Sequence, residues 1–161
     1  MVDEAVVNAS PLIFLARGGH LELLREFAGR ILVPAAVAAE IRAKGTDDPT
    51  ARLLASADWL RTAADPRIPE DILRWGLGSG ESSVLALAKE RPGREAIIDD
   101  LAGRKCASLL GIPVRGTLGI VLVAKRRGRI QAARPVLEDL IRGGMSLSRP
   151  VLNSALKRVG E

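Results

Sequence analysis

Four polar side chains stand where an α/β chain can do chemistry: Asn8, Glu40, Glu81 and Asp99. Asn8 follows Ala5-Val6-Val7, and Asp99 follows Ala96-Ile97-Ile98. Both runs are apolar and rich in β-branched residues, so they read as short buried strands. Open α/β sheets bind ligands in the crevice outside the carboxyl ends of their strands. If the two strands are neighbours, Asn8 and Asp99 flank that crevice, and Glu40 and Glu81 lie on helices that could lean over the same edge. Oxygen ligands converging in this way suit a hard cation, Mg²⁺ or Mn²⁺. One or two such ions can activate water and stabilise the leaving oxygen in phosphodiester hydrolysis. Each acid also has a plainer reading. Asp100 caps the helix that follows Ile98-Asp99-Asp100. Glu40 has Lys44 four residues on, a surface ion pair of about 0.3–0.5 kcal/mol. Glu81 suits the dipole at the start of its helix. Spacing alone leaves these alternatives open.

The elements that must position these residues alternate along the chain. Strands are expected at residues 4–8, 30–33, 59–63, 96–98 and 112–114. Between them lie helical stretches at 11–17, 20–27, 34–42, 49–57, 68–75, 81–89 and 101–110, with others at 118–126, 138–142 and from 149 onward. Ser10-Pro11 opens the first helix, with Ser10 as its cap and proline at the first helical position, where a missing N–H costs nothing. Gly116-Thr117 caps the helix at 118. The glycine-rich Gly76-Leu77-Gly78-Ser79-Gly80 does not spell a dinucleotide signature and reads as a flexible lead-in to the helix that carries Glu81. Strand, helix, strand, repeated five times, implies an α/β fold: a five-stranded parallel sheet between helices, in three layers.

Composition narrows the partners. At 161 residues and 47% apolar, the chain is expected to form one domain over 1–161 with a real core. Its longest apolar run, 118–124, is far short of the roughly 20 residues a membrane span needs. The first residues are acidic where a signal peptide would be basic. One cysteine, Cys106, and one histidine, His20, exclude an internal disulfide and a Cys/His zinc site. The expectation is a cytoplasmic globular protein. His20, with nothing nearby to pair with, reads as a surface residue at a helix start. Residues 101–137 hold eight basic and no acidic side chains, while the remainder sums to −3 against an overall +5. A basic half beside an acidic cluster suits a polyanionic partner, although solvated lysines and arginines at a helix carboxyl end would look the same. Two phenylalanines, two tryptophans and no tyrosine are too few for single-strand recognition by stacking on an aromatic platform.

The motif set resembles the PIN-domain family of metal-dependent ribonucleases, to which VapC-type toxins belong. Its nearest likeness is a branch of predicted nucleic-acid-binding proteins with asparagine in the first motif. The resemblance rests on Val7-Asn8-Ala9-Ser10-Pro11-Leu12-Ile13, Val33-Pro34-Ala35-Ala36-Val37-Ala38-Ala39-Glu40-Ile41 and Gly78-Ser79-Gly80-Glu81-Ser82. It continues with Ile98-Asp99-Asp100-Leu101-Ala102-Gly103-Arg104, the stretch Gly111 to Gly119, and Ala124-Lys125-Arg126-Arg127-Gly128. It implies a PIN-like sheet with the first and fourth strands adjacent, and a pocket at Asn8, Glu40, Glu81 and Asp99 binding Mg²⁺ or Mn²⁺. Ser10 and Thr117 would offer hydroxyls, Asp100 would support the site mainly as a cap, and Arg104, Lys125, Arg126 and Arg127 would contact phosphates. The implied partners are RNA, a cognate antitoxin and a second copy in a homodimer.

The departure is Asn8, where the family generally carries aspartate. An amide carbonyl can still ligate a cation, but the site loses one negative charge. Two functions follow: a metal-dependent endoribonuclease, the toxin of a toxin–antitoxin pair, or a catalytically weak or inactive module that binds RNA or protein. A phospho-acceptor domain fits poorly, because it needs an acidic pair after the first strand. A Ser–His hydrolase fits worse, since no G-x-S-x-G elbow exists.

Overall fold

The computed structural model describes all 161 residues, Met1–Glu161. Five strands, β1 (Val2–Val7), β2 (Ala28–Pro34), β3 (Leu60–Ala63), β4 (Arg94–Ile97) and β5 (Val114–Arg115), form one parallel sheet in the order β3-β2-β1-β4-β5. Ten helices connect and cover it: α1 (Ala9–Arg17), α2 (Leu23–Phe27), α3 (Ala35–Arg42), α4 (Pro49–Ser56) and α5 (Glu70–Leu73), then α6 (Ser79–Glu90), α7 (Leu101–Leu109), α8 (Thr117–Arg126), α9 (Ala133–Arg142) and α10 (Arg149–Arg158). This is the expected three-layer α/β arrangement. Its cause is visible in β1, where Ala5, Val6 and Val7 are all fully buried. Successive strand side chains point to opposite faces, so burial of every one requires helices on both. No helix is long and apolar enough to cross a membrane.

The chain winds from β1 through β2 to β3, then returns to place β4 on the other flank of β1. That reversal makes the carboxyl ends of β1 and β4 the topological switch point. The two ends are locked together. Val7 pairs with Ile97, and the Asn8 N–H donates to the Ile97 carbonyl at 3.0 Å, one residue beyond the strand.

Several local expectations are corrected. Asn8, not Ser10, occupies the capping position of α1, with extended backbone and no side-chain cap bond. The ladder bond to Ile97 keeps Asn8 extended, so helical geometry begins at once at Ala9 and leaves Ser10 inside the first turn. Pro11 is tolerated there because first-turn N–H groups have no helical partner. Gly78 caps α6, so Ser79 and Gly80 are already helical and Glu81 is its third residue. Thr117 is the first residue of α8 rather than part of its cap, which is Gly116. Strand β5 is only two residues long and lies later than expected; the helix ending in Arg142 starts earlier, at Ala133, around buried Val136, Leu137 and Leu140. His20 is not solitary: its Nε2 lies 2.8 Å from Asp139 Oδ2 on α9. That contact holds the Asp139 carboxyl below its usual range, chiefly through the hydrogen bond to His20. The Glu40–Lys44 ion pair does not form; α3 ends at Arg42, and Glu40 pairs with no base.

Candidate active site

Asp99 stands two residues past the end of β4, and its carboxylate is fixed from the next crossover. Thr117, the fully buried first residue of α8, donates its backbone N–H to Oδ1 at 2.7 Å and its hydroxyl to Oδ2 at 2.6 Å. Bonds to an ionised acceptor are short and strong, and the amino end of α8 adds a favourable dipole. Asp100 takes the other role: its Oδ2 accepts the Gly103 N–H at 3.0 Å and caps α7. The adjacent aspartates therefore divide between site and scaffold.

Across the switch point, buried Asn8 donates from Nδ2 to Glu81 Oε1 at 3.4 Å. Glu81 lies in the first turn of α6, where the helix dipole favours its charge. Two glycines make this approach possible. A Cβ on Gly80 would stand 3.1 Å from Asn8 Oδ1 and 3.8 Å from Glu40 Oε2, so Gly80 is the gap across which Asn8 and exposed Glu40 face one another. A Cβ on Gly103 would stand 3.0 Å from Ile98 Cγ2 and 3.7 Å from Glu81 Cγ, so a side chain there would crowd the floor of the site.

Glu81, Asp99, Asp100 and Ser10 line one cavity of about 470 Å³. Phe14, Met145, Ser146 and Leu147 complete much of its wall. These last residues escaped sequence reading because they are apolar or small and arrive from α1 and the α9–α10 connection; nothing in their spacing marks them. The structure therefore brings Asn8, Glu81 and Asp99 to one edge, sets Glu40 at its rim, and places Ser10 and Thr117 beside it.

The basic residues separate. Arg104 and Arg126 line a second cleft that shares Asp99 with the first cavity. Lys125 instead donates to the Gln131 carbonyl at 2.5 Å and lies 3.9 Å from Glu161. Arg127 donates to the Glu26 and Phe27 carbonyls at 3.0 and 3.4 Å, complementing the carboxyl end of α2, with its guanidinium over the Phe27 ring. Neither lines either cavity.

No three acidic, histidine or cysteine side chains gather closely enough to enclose a metal ion by themselves. The side chains at this edge offer oxygen donors: the carboxylates of Glu81 and Asp99 line one cavity, while the Asn8 amide carbonyl lies on the side of Gly80 and Glu40. That set fits Mg²⁺ or Mn²⁺, which retain several waters and need only one or two carboxylates. It does not fit a soft or thiophilic metal, since the one cysteine, Cys106, is buried in the core, where desolvation pushes its thiol pKa up.

Sheet order and site define a doubly wound parallel α/β protein with an acidic crevice at its switch point. The chain belongs to the PIN-domain family: the family model DUF3368, a PIN domain, matches residues 4–161. This gives it a nuclease-type fold. No curated protein matches it.

Proposed function

We propose that the protein is a metal-dependent endoribonuclease, acting in the cytoplasm as the toxin of a toxin–antitoxin pair. The carrying observation is the approach of Asn8 to Glu81, which shares its cavity with Asp99, at the carboxyl ends of β1 and β4. Asn8, Glu81 and Asp99 would hold Mg²⁺ or Mn²⁺ through oxygen, with Glu40 contributing directly or through water. Bound there, the cation would supply an acidified water and positive charge for the leaving oxygen. Hydrolysis adds water across one P–O bond, leaving a phosphomonoester on one fragment and a hydroxyl on the other. The Ser10 hydroxyl and Arg104 bind phosphate oxygens in this reading, and Thr117 holds the Asp99 carboxylate in one orientation. Arg126 contacts the RNA chain, while Lys125 and Arg127 add only to the surrounding positive field.

The test is incubation of purified protein with structured and unstructured RNA in Mn²⁺ or in EDTA. Cleavage that needs the metal and is lost in Glu81→Gln and Asp99→Asn supports the proposal. Cleavage that survives EDTA, or the absence of cleavage with every divalent metal tried, overturns it. Co-expression with a neighbouring small gene product and sedimentation of the purified chain test the antitoxin and the homodimer.

One observation favours a second reading, a non-catalytic module that binds RNA or a protein. The Asn8 amide N–H donates a hydrogen bond to Glu81, a contact an ionised carboxylate could not make, so Glu81 has a partner without any metal. Asn8→Asp separates the two: nuclease activity gained only in the variant marks the native chain as a binding module.

A further inference from the structure

Beside the acidic cavity lies a cleft of about 360 Å³ walled by Arg104, Arg115, Arg126 and Arg158, with Asp99 on the shared border. Its basic residues come from four elements. Arg104 is on α7, Arg115 ends β5, Arg126 ends α8 and Arg158 ends α10. Elsewhere many basic side chains are neutralised by acids, as in the pairs of Arg17 with Asp48, Arg94 with Glu4 and Arg129 with Glu26. Here only Arg115 is, through Glu95 at 3.0 Å. Arg104, Arg126 and Arg158 form no ion pair, although Arg104 donates to the Ile98 carbonyl at 3.4 Å, so three arginines without an ion-pair partner line one concavity. Mutual repulsion is tolerable in water, yet an anion seated between them gains from all three.

Gly116 keeps the cleft open. A Cβ there would fall 2.5 Å from Arg104 Nη1 and 3.0 Å from Asp99 Oδ1, so the missing side chain is what lets the guanidinium lie beside the acid. Acid and arginines thus meet at Asp99, with the acidic cavity on one side and the basic cleft on the other.

We infer that this cleft seats a phosphate of the RNA chain next to the one at the acidic cavity, with Arg158 and Arg126 as its outer contacts. The inference rests on the nuclease reading for what occupies the acidic side. It assigns α10 a substrate-binding part and gives the RNA a direction of travel, from the α9–α10 connection past Asp99 toward the ends of α8 and α10.

The experiment is binding of a fluorescent single-stranded RNA in EDTA, over a range of salt, to wild type, to Arg126→Gln/Arg158→Gln and to Arg91→Gln/Lys157→Gln. The last pair removes the same charge from exposed positions outside the cleft. Each lost phosphate contact should lower the slope of log affinity against log salt by about 0.7, so the cleft variant, which releases the one phosphate seated there, should lose about 0.7. The control pair should lose little. Gly116→Ala, which displaces Arg104, should lower the slope as well, and unfolding midpoints confirm that each variant is folded. Equal slopes for the cleft variant and the control overturn the inference, and leave the nuclease reading standing if wild type cleaves. A slope change in protein that cuts nothing with any metal does the reverse. Oligonucleotides with and without a 5′-phosphate identify the source of the bound phosphate. The same slope change on both supports an internal phosphodiester, and a change confined to the phosphorylated one supports a chain end.

Discussion

Thr117 grips Asp99 twice, through its backbone N–H and its hydroxyl, so a residue in the first turn of α8 sets the orientation of a carboxylate at the end of β4. Thr117→Val keeps the shape and the backbone bond but removes the hydroxyl donor. A half-buried carboxylate then loses a charge-assisted partner, at a cost of about 1.5–3 kcal/mol. Chemical denaturation should show that loss, RNA cleavage should fall, and Thr117→Ser should restore most of both.

Asn8→Asp places a second carboxylate where an amide now donates to Glu81. Without metal the like charges repel, and the variant should melt below wild type. Mn²⁺ should stabilise it more than it stabilises wild type, because any ligand that binds only the folded state raises stability with its affinity. Identical Mn²⁺-induced shifts for the two proteins would remove Asn8 from the metal set.

Asp100 is predicted to matter to the helix. Asp100→Ala should cost about 1 kcal/mol, the usual value of a cap, whereas Asp100→Asn should cost little because asparagine caps equally well. Urea unfolding of the two variants measures the difference.

The sharpest acid dependence belongs away from the site, at Asp48. The Arg17 guanidinium bonded to it at 2.8 Å, helped by the Thr50 N–H, lowers its pKa to about 2 against the opposing effect of burial. The folded value lies below the unfolded one, so this stabilisation is complete above about pH 4 and disappears as pH falls through about 2. Because Arg17 is substantially exposed, solvent screening limits the pair to about 1 kcal/mol. Asp48→Asn should therefore be less stable than wild type at neutral pH and converge on it near the acid end of that range, as read by denaturation at several pH values.

What the sequence disclosed was whatever depends on neighbours along the chain. Runs such as Ala5-Val6-Val7 and Ala96-Ile97-Ile98 announce buried strands, and their alternation with helices announces the parallel sheet. Asp100 was legible as a cap because its partner, Gly103, is three residues away. Partners remote in sequence were not legible: His20 meets Asp139 from 119 residues away, and Arg127 reaches Glu26 and Phe27. Arg158 carried no signal, being one more basic residue near the end of an amphipathic helix. Ser10 misled because serine before proline is a good local cap; the long-range ladder between Asn8 and Ile97 overrides it.

The Glu161 carboxylate accepts the N–H groups of Ala133 at 2.6 Å and Arg134 at 3.1 Å, and so closes the open amino end of α9. The same helix leads directly into Met145, Ser146 and Leu147 on the wall of the acidic cavity. Met1, by contrast, precedes β1 at the amino ends of the strands, opposite the switch point. A purification handle or surface tether fused at Glu161 would thus pull on the wall of the site, whereas one fused at Met1 would leave it undisturbed. The choice of fusion end is part of any fair assay of this protein.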